Sequence, residues 1–587
     1  MAETKEWTVM FYFASDNPLA PSVVLQLKAI KDAGFHPEAN VVAQFDPNTP
    51  GTPTHIFDVN NVNKLRYHGT PRIGFGEDDP YIRSLLEDKL WSYQKARDGK
   101  SVRGKIKELL LGKHNVDYNP PIPLNHSGAN SPRPGHTAEP GPRQSLESFL
   151  RFCHYEYPAR HYILFILGHG LVVGNDIFLF DEHAEEYSLS LKDLGEVLGT
   201  FREEIENKEA KLELVGFHSC SVSSLEVAYE LKDTARYMLA SQGPAFVGSW
   251  PYRQMLIRLF NDLVRHGKGI NIKEMCVAIF KYCLYNSADF LLAGYSYDLC
   301  LCNLNKVSVM KEGLQRLSKA LIDGLDHPLI TDLILLSHLK SQSYWRETYT
   351  DLFDFCLCLQ KRCDHELNSQ GENVAASLKE ISDACGHVML QLKSDPDTDQ
   401  IRDDDDGFIV RAKFAGPAYQ YSNGLSVFFP WSRPAEDSNI LDEYRKYKMI
   451  PDRGTDLSPD LGPSWLAFLE KYFIKTKREP RKSGEEYGGE KQPSEERQLK
   501  AKEEQELQED IASLVYNQEA QLSVYNSLSG APTPGKANPL DGTGDSCACA
   551  SIKNYPNDTR PVRKRQKKAA DTDQAIPMSN DSLENLL

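Results

Sequence analysis

The sequence of 587 residues has no apolar run that approaches the roughly 18 to 20 residues of a membrane span, so no membrane partner is expected. Its first residues, Met1–Trp7, lack the basic start, the apolar stretch and the small-residue cleavage site of a signal peptide. The 12 cysteines recur at no regular spacing, which argues against a secreted scaffold held by disulfides. These absences predict a cytoplasmic protein with free thiols.

Basic residues are too few for a general nucleic-acid binder, with 67 lysines and arginines against 83 aspartates and glutamates. The net charge of −16 lacks the basic footprint that such a protein needs, so no nucleic-acid partner is expected. One short basic cluster, Arg560–Lys568, lies near the end of the chain. In a eukaryote it would serve as a nuclear address, and in a bacterium it would be a solvated tail.

The sequence does contain an alternation of buried-strand and helix patterns. Trp7–Ala14 is an apolar, aromatic run, and Val41–Phe45 is a second candidate for a buried strand, beyond a helical repeat at Ser22–Ala33. Short connections between strand, helix and strand are typical of a parallel βαβ unit. The alternation resumes with predicted strands at His161–Leu167, Ile177–Phe180, Leu212–Phe217 and Tyr237–Ser241. The pattern predicts an α/β fold with a mostly parallel sheet flanked by helices.

The predicted organisation has two domains, an insertion and a tail. Residues 1–290 form the α/β domain, interrupted over about 74–144 by a segment rich in proline and glycine, which predicts a flexible insertion. Mixed helix and strand patterns over 291–473 predict a mixed α+β domain. Residues 474–587 are highly charged and poor in apolar side chains, which predicts a largely disordered tail.

Two predicted strands deliver chemically active side chains where they end. His169 follows one strand between two glycines, and Cys220 follows another between two serines, 51 positions later. Catalytic groups of parallel sheets lie at the carboxyl ends of strands, where neighbouring loops meet. An imidazole beside a thiol makes the cysteine nucleophilic. Gly170 would let its backbone N–H approach a substrate carbonyl, forming an oxyanion hole with the N–H of Cys220.

Five blocks of sequence, in order along the chain, carry a family resemblance. They are 7–17, 157–170 with His169, 214–231 with Cys220, 240–243 together with 248–252, and 421–430. The series resembles the clostripain family of cysteine peptidases, whose caspase-like fold is shared with gingipains, legumains and caspases. The resemblance implies a caspase-like peptidase domain and a family-specific second domain.

The resemblance also implies a mechanism, the hydrolysis of peptide bonds in a protein or peptide substrate. The Cys220 thiolate would attack the scissile carbonyl, and the backbone N–H groups of Gly170 and Cys220 would hold the oxyanion. His169 would protonate the leaving amine, and water would release the acyl-enzyme. This chemistry requires no metal or other cofactor.

Calcium enters only through the family resemblance. The acidic run Asp403–Asp406 offers the carboxylates that calcium prefers, but it lacks the alternating ligand spacing of an EF-hand loop. A solvated loop is the simpler interpretation. Cys356 and Cys358 form a close pair without the second pair that a zinc site uses, so no metal ligands are predicted.

Two positions depart from the family pattern in the predicted specificity pocket. The family usually places Asp two residues before the nucleophile and Glu after the serine of the following strand, whereas this chain has His218 and Gln242. Recognition of a buried arginine or lysine requires a carboxylate. Neither residue supplies a full negative charge, and His218 is expected to carry a positive one at mildly acidic pH. The departures predict a peptidase without the family's preference for basic residues.

Other functions remain open at the level of sequence. A buried free cysteine and a single histidine are common structural residues. One alternative is a catalytically silent caspase-like scaffold whose altered pocket binds a partner. Another is a cysteine-dependent amide hydrolase that acts on small molecules. Intact His169, Gly170 and Cys220 favour the peptidase over the scaffold.

Overall fold

The computed structural model describes residues 4–17, 19–46, 54–58, 65–67, 141–170, 173, 178–179, 181, 188–205, 212–287, 291, 295–344, 348–392, 407–434, 440–450 and 463–476. Their strands are β1 (Lys5–Phe13), β2 (Ala39–Phe45), β3 (His55–Asp58), β4 (Leu65–Tyr67), β5 (Ala159–Leu167), β6 (Leu212–His218), β7 (Ala235–Ala240), β8 (Tyr297–Asn303), β9 (Ser343–Tyr344), β10 (Tyr349–Asp351), β11 (Ile409–Ala415) and β12 (Ser426–Phe428). Nine of these strands form the main sheet, in the order β11-β8-β7-β6-β5-β1-β2-β3-β4.

The centre of the main sheet is parallel. Strands β2, β1, β5, β6 and β7 pair side by side in one direction, whereas β8 and β11 on one side and β3 and β4 on the other pair antiparallel. All seven residues of β2 and all seven of β6 are buried. Continuous apolar sequences form such strands because both faces of the sheet are covered. The predicted α/β fold is confirmed, with a mixed sheet in which the five central strands are parallel.

Helices cover both faces of this sheet. Those described are α1 (Ala20–Asp32), α2 (Pro142–Glu156), α3 (Leu191–Glu204), α4 (Leu225–Glu230), α5 (Tyr252–His266), α6 (Ile272–Asn286), α7 (Val307–Gly324), α8 (Pro328–Lys340), α9 (Leu352–Glu366), α10 (Glu372–Leu392), α11 (Ile440–Arg445) and α12 (Trp465–Lys475). Alternate side chains of β1 enter two cores, because strand side chains point to opposite faces. Met10 and Tyr12 pack in the core that contains α2 and α3, whereas Phe11 and Phe13 pack with α1, α5 and α6.

Residues beyond 290 contribute to the main sheet as well as to a smaller one. Strands β8 and β11 complete one side of the main sheet, and β12, β10 and β9 form a second, antiparallel sheet. The helices α7 to α10 and α12 share a hydrophobic core with α2 and α3. The described residues all belong to the compact unit Met1–Asn554. A boundary at residue 290 therefore does not separate two sheets.

Several local predictions can be compared with the structure. Ser190 caps the start of α3, where its hydroxyl oxygen accepts a hydrogen bond from the Asp193 N–H at 3.0 Å. A short strand or hairpin arm was predicted at Ile177–Phe180, of which only Phe178 and Leu179 are described, and these two lie in a turn in which Leu179 has φ 54°. Strand β8 and helix α10 were not predicted. The polar residues Asp298 and Asn303 interrupt the apolar pattern of β8. Strand β8 is buried because it lies between β7 and β11 in the sheet.

None of the described helices combines the length and the apolar character that a membrane crossing requires. Nearly all of the predicted insertion (about 74–144) and all but the first residues of the predicted tail (474–587) lie outside the described residues. The acidic run Asp403–Asp406 and the basic cluster Arg560–Lys568 lie outside them too.

Candidate active site

The register of two parallel strands brings the histidine and cysteine loops to the same level. In the pairing of β5 with β6, Leu167 lies beside His218. His169 and Cys220 are each two residues past this pair, so the 51 positions between them equal the offset of the two strands. Both loops leave the carboxyl end of the parallel sheet, where α/β proteins place their ligands. The neighbouring strands expected from the sequence are confirmed.

Gly170 lies directly against the backbone of Cys220. A Cβ atom added to Gly170 would lie 2.3 Å from the carbonyl oxygen and 2.8 Å from the Cβ of Cys220. A Cβ on Gly168 would lie 2.8 Å from a side-chain carbon of Leu179. Glycine is needed at both positions because the loops approach too closely for a methyl group. The structure therefore brings Gly170 and Cys220 together, with His169 between the two glycines.

The Cys220 loop is fixed by the segment that follows β7. Cys220 is 5 % exposed, and its sulfur accepts a hydrogen bond from the backbone N–H of Ala245 at 3.4 Å. The next residue, Ser221, has φ 57°, in the left-handed region that side chains other than glycine seldom occupy. Its N–H donates to the carbonyl oxygen of Gly243 at 3.0 Å. The loop therefore keeps an uncommon conformation with the help of residues 243–245.

His169 is buried, with an exposed fraction of 2 %. Burial lowers the pKa of its imidazole to about 3, because the charged form loses its hydration. The ring is neutral at the pH of most cells, and a neutral imidazole has a nitrogen lone pair that can accept a proton. This protonation state is the one that a base beside a thiol requires.

His218 is a fully hydrogen-bonded, neutral side chain in the interior. Its Nε2–H donates to the carbonyl oxygen of Phe246 at 2.6 Å, and its Nδ1 accepts from the Tyr252 hydroxyl at 2.9 Å. The ring stacks on Trp250 with 4.8 Å between centroids. Burial lowers the pKa of His218 to about 3, while the bond to Phe246 partly opposes this shift. The expectation that His218 is positively charged at mildly acidic pH is therefore wrong.

Acidification is expected to destabilise the fold through His218. Because the folded-state pKa of about 3 lies below the unfolded value of about 6.5, the unfolded state binds the proton first. This stability is complete above pH 6.5 and is lost as the pH falls towards 3. At pH 5 the loss is about 2 kcal/mol. Thermal unfolding at pH 7 and pH 5 should show a smaller fall in Tm for His218→Gln than for the wild type.

The exposed His266, at the end of α5, supplies the control for this measurement. His266→Gln should keep the pH dependence of the wild-type Tm. Equal falls in Tm for the wild type and His218→Gln would show that His218 is not a source of the loss of stability at low pH.

Gln242 is a buried connection between the β7 loop and the second sheet. Its Nε2 donates to Asp351 at 3.1 Å, and its Oε1 accepts from the hydroxyls of Tyr344 and Ser422 and from the N–H of Gly424. Gln242 is 1 % exposed. These contacts use the polar atoms of the Gln242 side chain. The amide is directed into this network, and its predicted place in a specificity pocket stays a prediction.

A small recess opens beside the Cys220 loop, with about 260 Å³ of space that includes its open mouth. Its lining includes Ala245, Ser249, Trp250 and Asp298. The Ala245 backbone hydrogen-bonds to the sulfur of Cys220, so the recess adjoins the thiol. Asp298 was not predicted as a site residue from the sequence. The available signal was a single acidic residue at the start of a run that is otherwise apolar, Tyr297–Cys302.

Metal ligands do not gather in the described part of the chain. No group of three or more histidine, cysteine, aspartate or glutamate residues there could hold a metal ion. Cys356 and Cys363 are buried on α9.

A model of the clostripain family matches residues 133–446, more than half of the chain. A search among curated protein sequences found no match. Among solved structures, a secreted C11 cysteine protease from Bacteroides thetaiotaomicron in complex with an irreversible peptide inhibitor has 12% sequence identity and a TM-score of 0.41, covering 80% of this chain and 99% of that chain.

A second similar structure is an inactive zymogen C11 protease from Parabacteroides distasonis, with 14% sequence identity and a TM-score of 0.40. That match covers 76% of this chain and 98% of the other. The family match includes both strand-end loops, with His169 and Cys220. The predicted resemblance is confirmed, and this chain belongs to the clostripain family of cysteine peptidases.

Proposed function

We propose that this cysteine endopeptidase hydrolyses protein or peptide substrates with Cys220 as nucleophile and His169 as general acid and base. The observation that carries the proposal is the parallel register of β5 and β6, which places the His169 and Cys220 loops side by side at the carboxyl end of the sheet. The close approach of Gly170 to the Cys220 backbone supports it. Neutral His169 takes the thiol proton and then gives a proton to the leaving amine. The chemistry uses no metal, and calcium has no assigned step.

The oxyanion is proposed to bind between two backbone N–H groups, those of Gly170 and Cys220. The negative charge on the tetrahedral intermediate is stabilised when preorganised N–H donors point at it. The contact between Gly170 and the Cys220 backbone supports this assignment because it holds the two peptide groups next to one another. A side chain at position 170 would separate them.

A peptide acyloxymethyl ketone tests this proposal directly. It alkylates a reactive cysteine when the site around that cysteine binds the peptide part of the reagent. The expected result is a single label whose mass is located on the peptide that contains Cys220. Labelling is expected to require a peptide group, and a small acyl reagent without one should react more slowly. A folded protein that is not labelled at Cys220 would favour the silent scaffold instead. Preferential reaction with the small reagent would favour an amide hydrolase.

We also propose that the enzyme lacks the family's preference for a basic residue on the acyl side of the cut. Support comes from the two altered positions, since His218 is neutral and the Gln242 amide is engaged with Asp351. A desolvated cation without a paired charge costs several kcal/mol. Asp298 lies nearby, but each of its carboxylate oxygens already accepts a backbone N–H, from Gln242 and Gly243.

Fluorogenic peptides that differ only in this one residue measure the preference. The arginine peptide is expected to be cleaved no faster than its neutral counterpart. His218→Asp should raise cleavage of the arginine peptide by about tenfold or more, because it adds a negative charge at the family's position. His218→Asn is the matched control, without a charge. Tenfold faster cleavage of arginine by the wild type would contradict the proposal.

A further inference from the structure

Asp298 accepts two hydrogen bonds from the segment that follows β7. Its Oδ2 accepts from the Gln242 N–H at 2.8 Å, and its Oδ1 accepts from the Gly243 N–H at 2.8 Å. The carboxylate arrives on β8, which pairs antiparallel with β7 so that Cys300 lies beside Ala240. Hydrogen bonds between a carboxylate and backbone N–H groups are about twice as strong as neutral ones. Asp298 therefore fixes the first residues after β7.

The same segment carries the contacts that shape the Cys220 loop. The Gly243 carbonyl oxygen accepts from the Ser221 N–H, and the Ser241 carbonyl oxygen accepts from the Ser223 N–H at 2.9 Å. Ala245, two residues after Gly243, donates its N–H to the Cys220 sulfur. The left-handed conformation of Ser221 is strained, so it depends on such contacts. Hydrogen bonds thus connect Asp298, through the Gln242–Ala245 segment, with the Cys220 sulfur and with the residues that follow Cys220.

The charge of Asp298 also acts on the thiol. Asp298 is 3 % exposed, and no lysine or arginine among the described residues forms an ion pair with it. Burial raises the pKa of this carboxyl to about 6, the two backbone donors lower it, and the negative charge of ionised Cys220 raises it further. By the same interaction, ionised Asp298 makes the thiolate harder to form. A buried carboxylate at this position therefore opposes formation of the thiolate. Its hydrogen bonds to the Gln242–Gly243 backbone supply a structural reason for its presence.

We propose that Asp298 is a positioning residue of the peptidase, which braces the Gln242–Ala245 segment against the Cys220 loop and couples its own charge to that of the thiol. The proposal rests on the proposed function of Cys220 as nucleophile. Asp298 has no contact with substrate in this role, and it acts through residues 242–245.

The groups that face Asp298 are few. From the loop after β6 the Cys220 thiol interacts with it, and from the segment after β7 only backbone N–H groups do. On its own strand Tyr297 is its neighbour in the recess, and the Cys300 thiol interacts with its charge. Tyr419, beyond β11, packs where a side chain on Gly243 would lie. Burial raises the pKa of the Cys300 thiol well above its usual range, so Cys300 stays neutral beside Asp298.

Asp298→Asn tests the proposal because it keeps the shape, removes the charge and replaces one acceptor with an amide that faces a backbone N–H. Two measurements are made on the full chain. One is the rate of iodoacetamide alkylation of the Cys220 peptide from pH 4 to pH 9, resolved by mass spectrometry. The other is the kcat and KM of peptide cleavage over the same range.

The expected result has two parts with opposite signs. The midpoint of Cys220 alkylation moves to lower pH by about half a unit to one unit, because a like charge has been removed. At the same time kcat falls by about tenfold or more, because the loop is no longer braced, and KM changes less than threefold. A residue with only a structural role would lower the yield of folded protein without moving the alkylation midpoint.

Controls separate failure of this proposal from failure of the proposed function. Asp262→Asn changes another buried aspartate, paired with Arg258 on α5, and should leave both profiles unchanged. If the wild type has no activity that depends on Cys220, the proposed function is wrong. If it has such activity and Asp298→Asn matches it in kcat and in midpoint, the role of Asp298 is wrong. A loss confined to arginine substrates would also overturn it.

A second variant and a wild-type measurement cover a failure of Asp298→Asn to fold. Asp298→Ser is smaller, is neutral and still accepts one N–H, and the same shift in midpoint is expected. In the wild type, the alkylation profile should contain a second inflection near pH 6, where Asp298 ionises. A wild-type profile with a single inflection would overturn the coupling without any variant.

Discussion

Cys220→Ala is expected to abolish peptide cleavage while the protein keeps its fold. The substitution removes the sulfur that forms the acyl-enzyme, and the other nine described thiols lie inside helices or inside β8 instead of in a loop that follows a strand. Cys220 is 5 % exposed at the edge of a loop, so its loss opens only a small cavity. The rate of a fluorogenic peptide assay should fall to background, and Tm should stay within a few degrees of the wild type.

His169 supplies the companion variant for this experiment. His169→Ala is expected to lower kcat by at least about 100-fold, which is the usual contribution of a general acid and base. The two losses should not add, since both residues act in the same step. Full activity in Cys220→Ala would remove the mechanism, and a loss of less than a few-fold in His169→Ala would place the base elsewhere.

Gly170→Ala is expected to have an effect nearly as large, through geometry instead of chemistry. Its new methyl group would lie 2.3 Å from the Cys220 carbonyl oxygen, far inside van der Waals contact, so one loop must move. Movement separates the two N–H groups of the proposed oxyanion hole, and losing one such donor costs about 10²- to 10³-fold in kcat. The measurement is kcat together with Tm, and both are expected to fall.

Gly199 is the matched control, since it lies in α3 with no atom within 4 Å of a Cβ added there. Gly199→Ala should keep full activity and should raise stability by about 0.5 to 1 kcal/mol, because alanine favours helix over glycine. Unchanged kcat in Gly170→Ala would show that the two loops need not touch.

Much of the sheet could be predicted from the sequence because its central strands are buried on both faces. A strand covered by helices on both sides is mostly apolar, as in Val41–Phe45 and Leu212–Phe217, where Gln44 and Glu213 are the polar exceptions. Such runs can be recognised in a sequence. Strand β8 escaped prediction for the opposite reason. Asp298 interrupts its apolar pattern, and its burial depends on partners far away in the chain.

The pair His169 and Cys220 was also visible in the sequence. The order of strands in a parallel sheet follows from short right-handed crossovers, and both residues stand directly after apolar runs. The 51 positions between them are fixed once β5 and β6 are neighbours in the observed register. The sequence thus indicated which residues meet, together with the family to which the chain belongs.

By itself, then, the sequence determined the parallel core, the two strand ends and the clostripain family, because local apolar patterns and short motifs carry that information. Only the tertiary structure decided the charge states and the hydrogen-bond partners of the residues around these strand ends. The neutrality of His218 follows from burial among Tyr252, Trp250 and Phe246, and the placement of Asp298 beneath the Gln242–Gly243 turn follows from the pairing of β7 with β8. Charge state and hydrogen-bond partners depend on groups brought together across long stretches of chain, and that information exists only once the chain has folded.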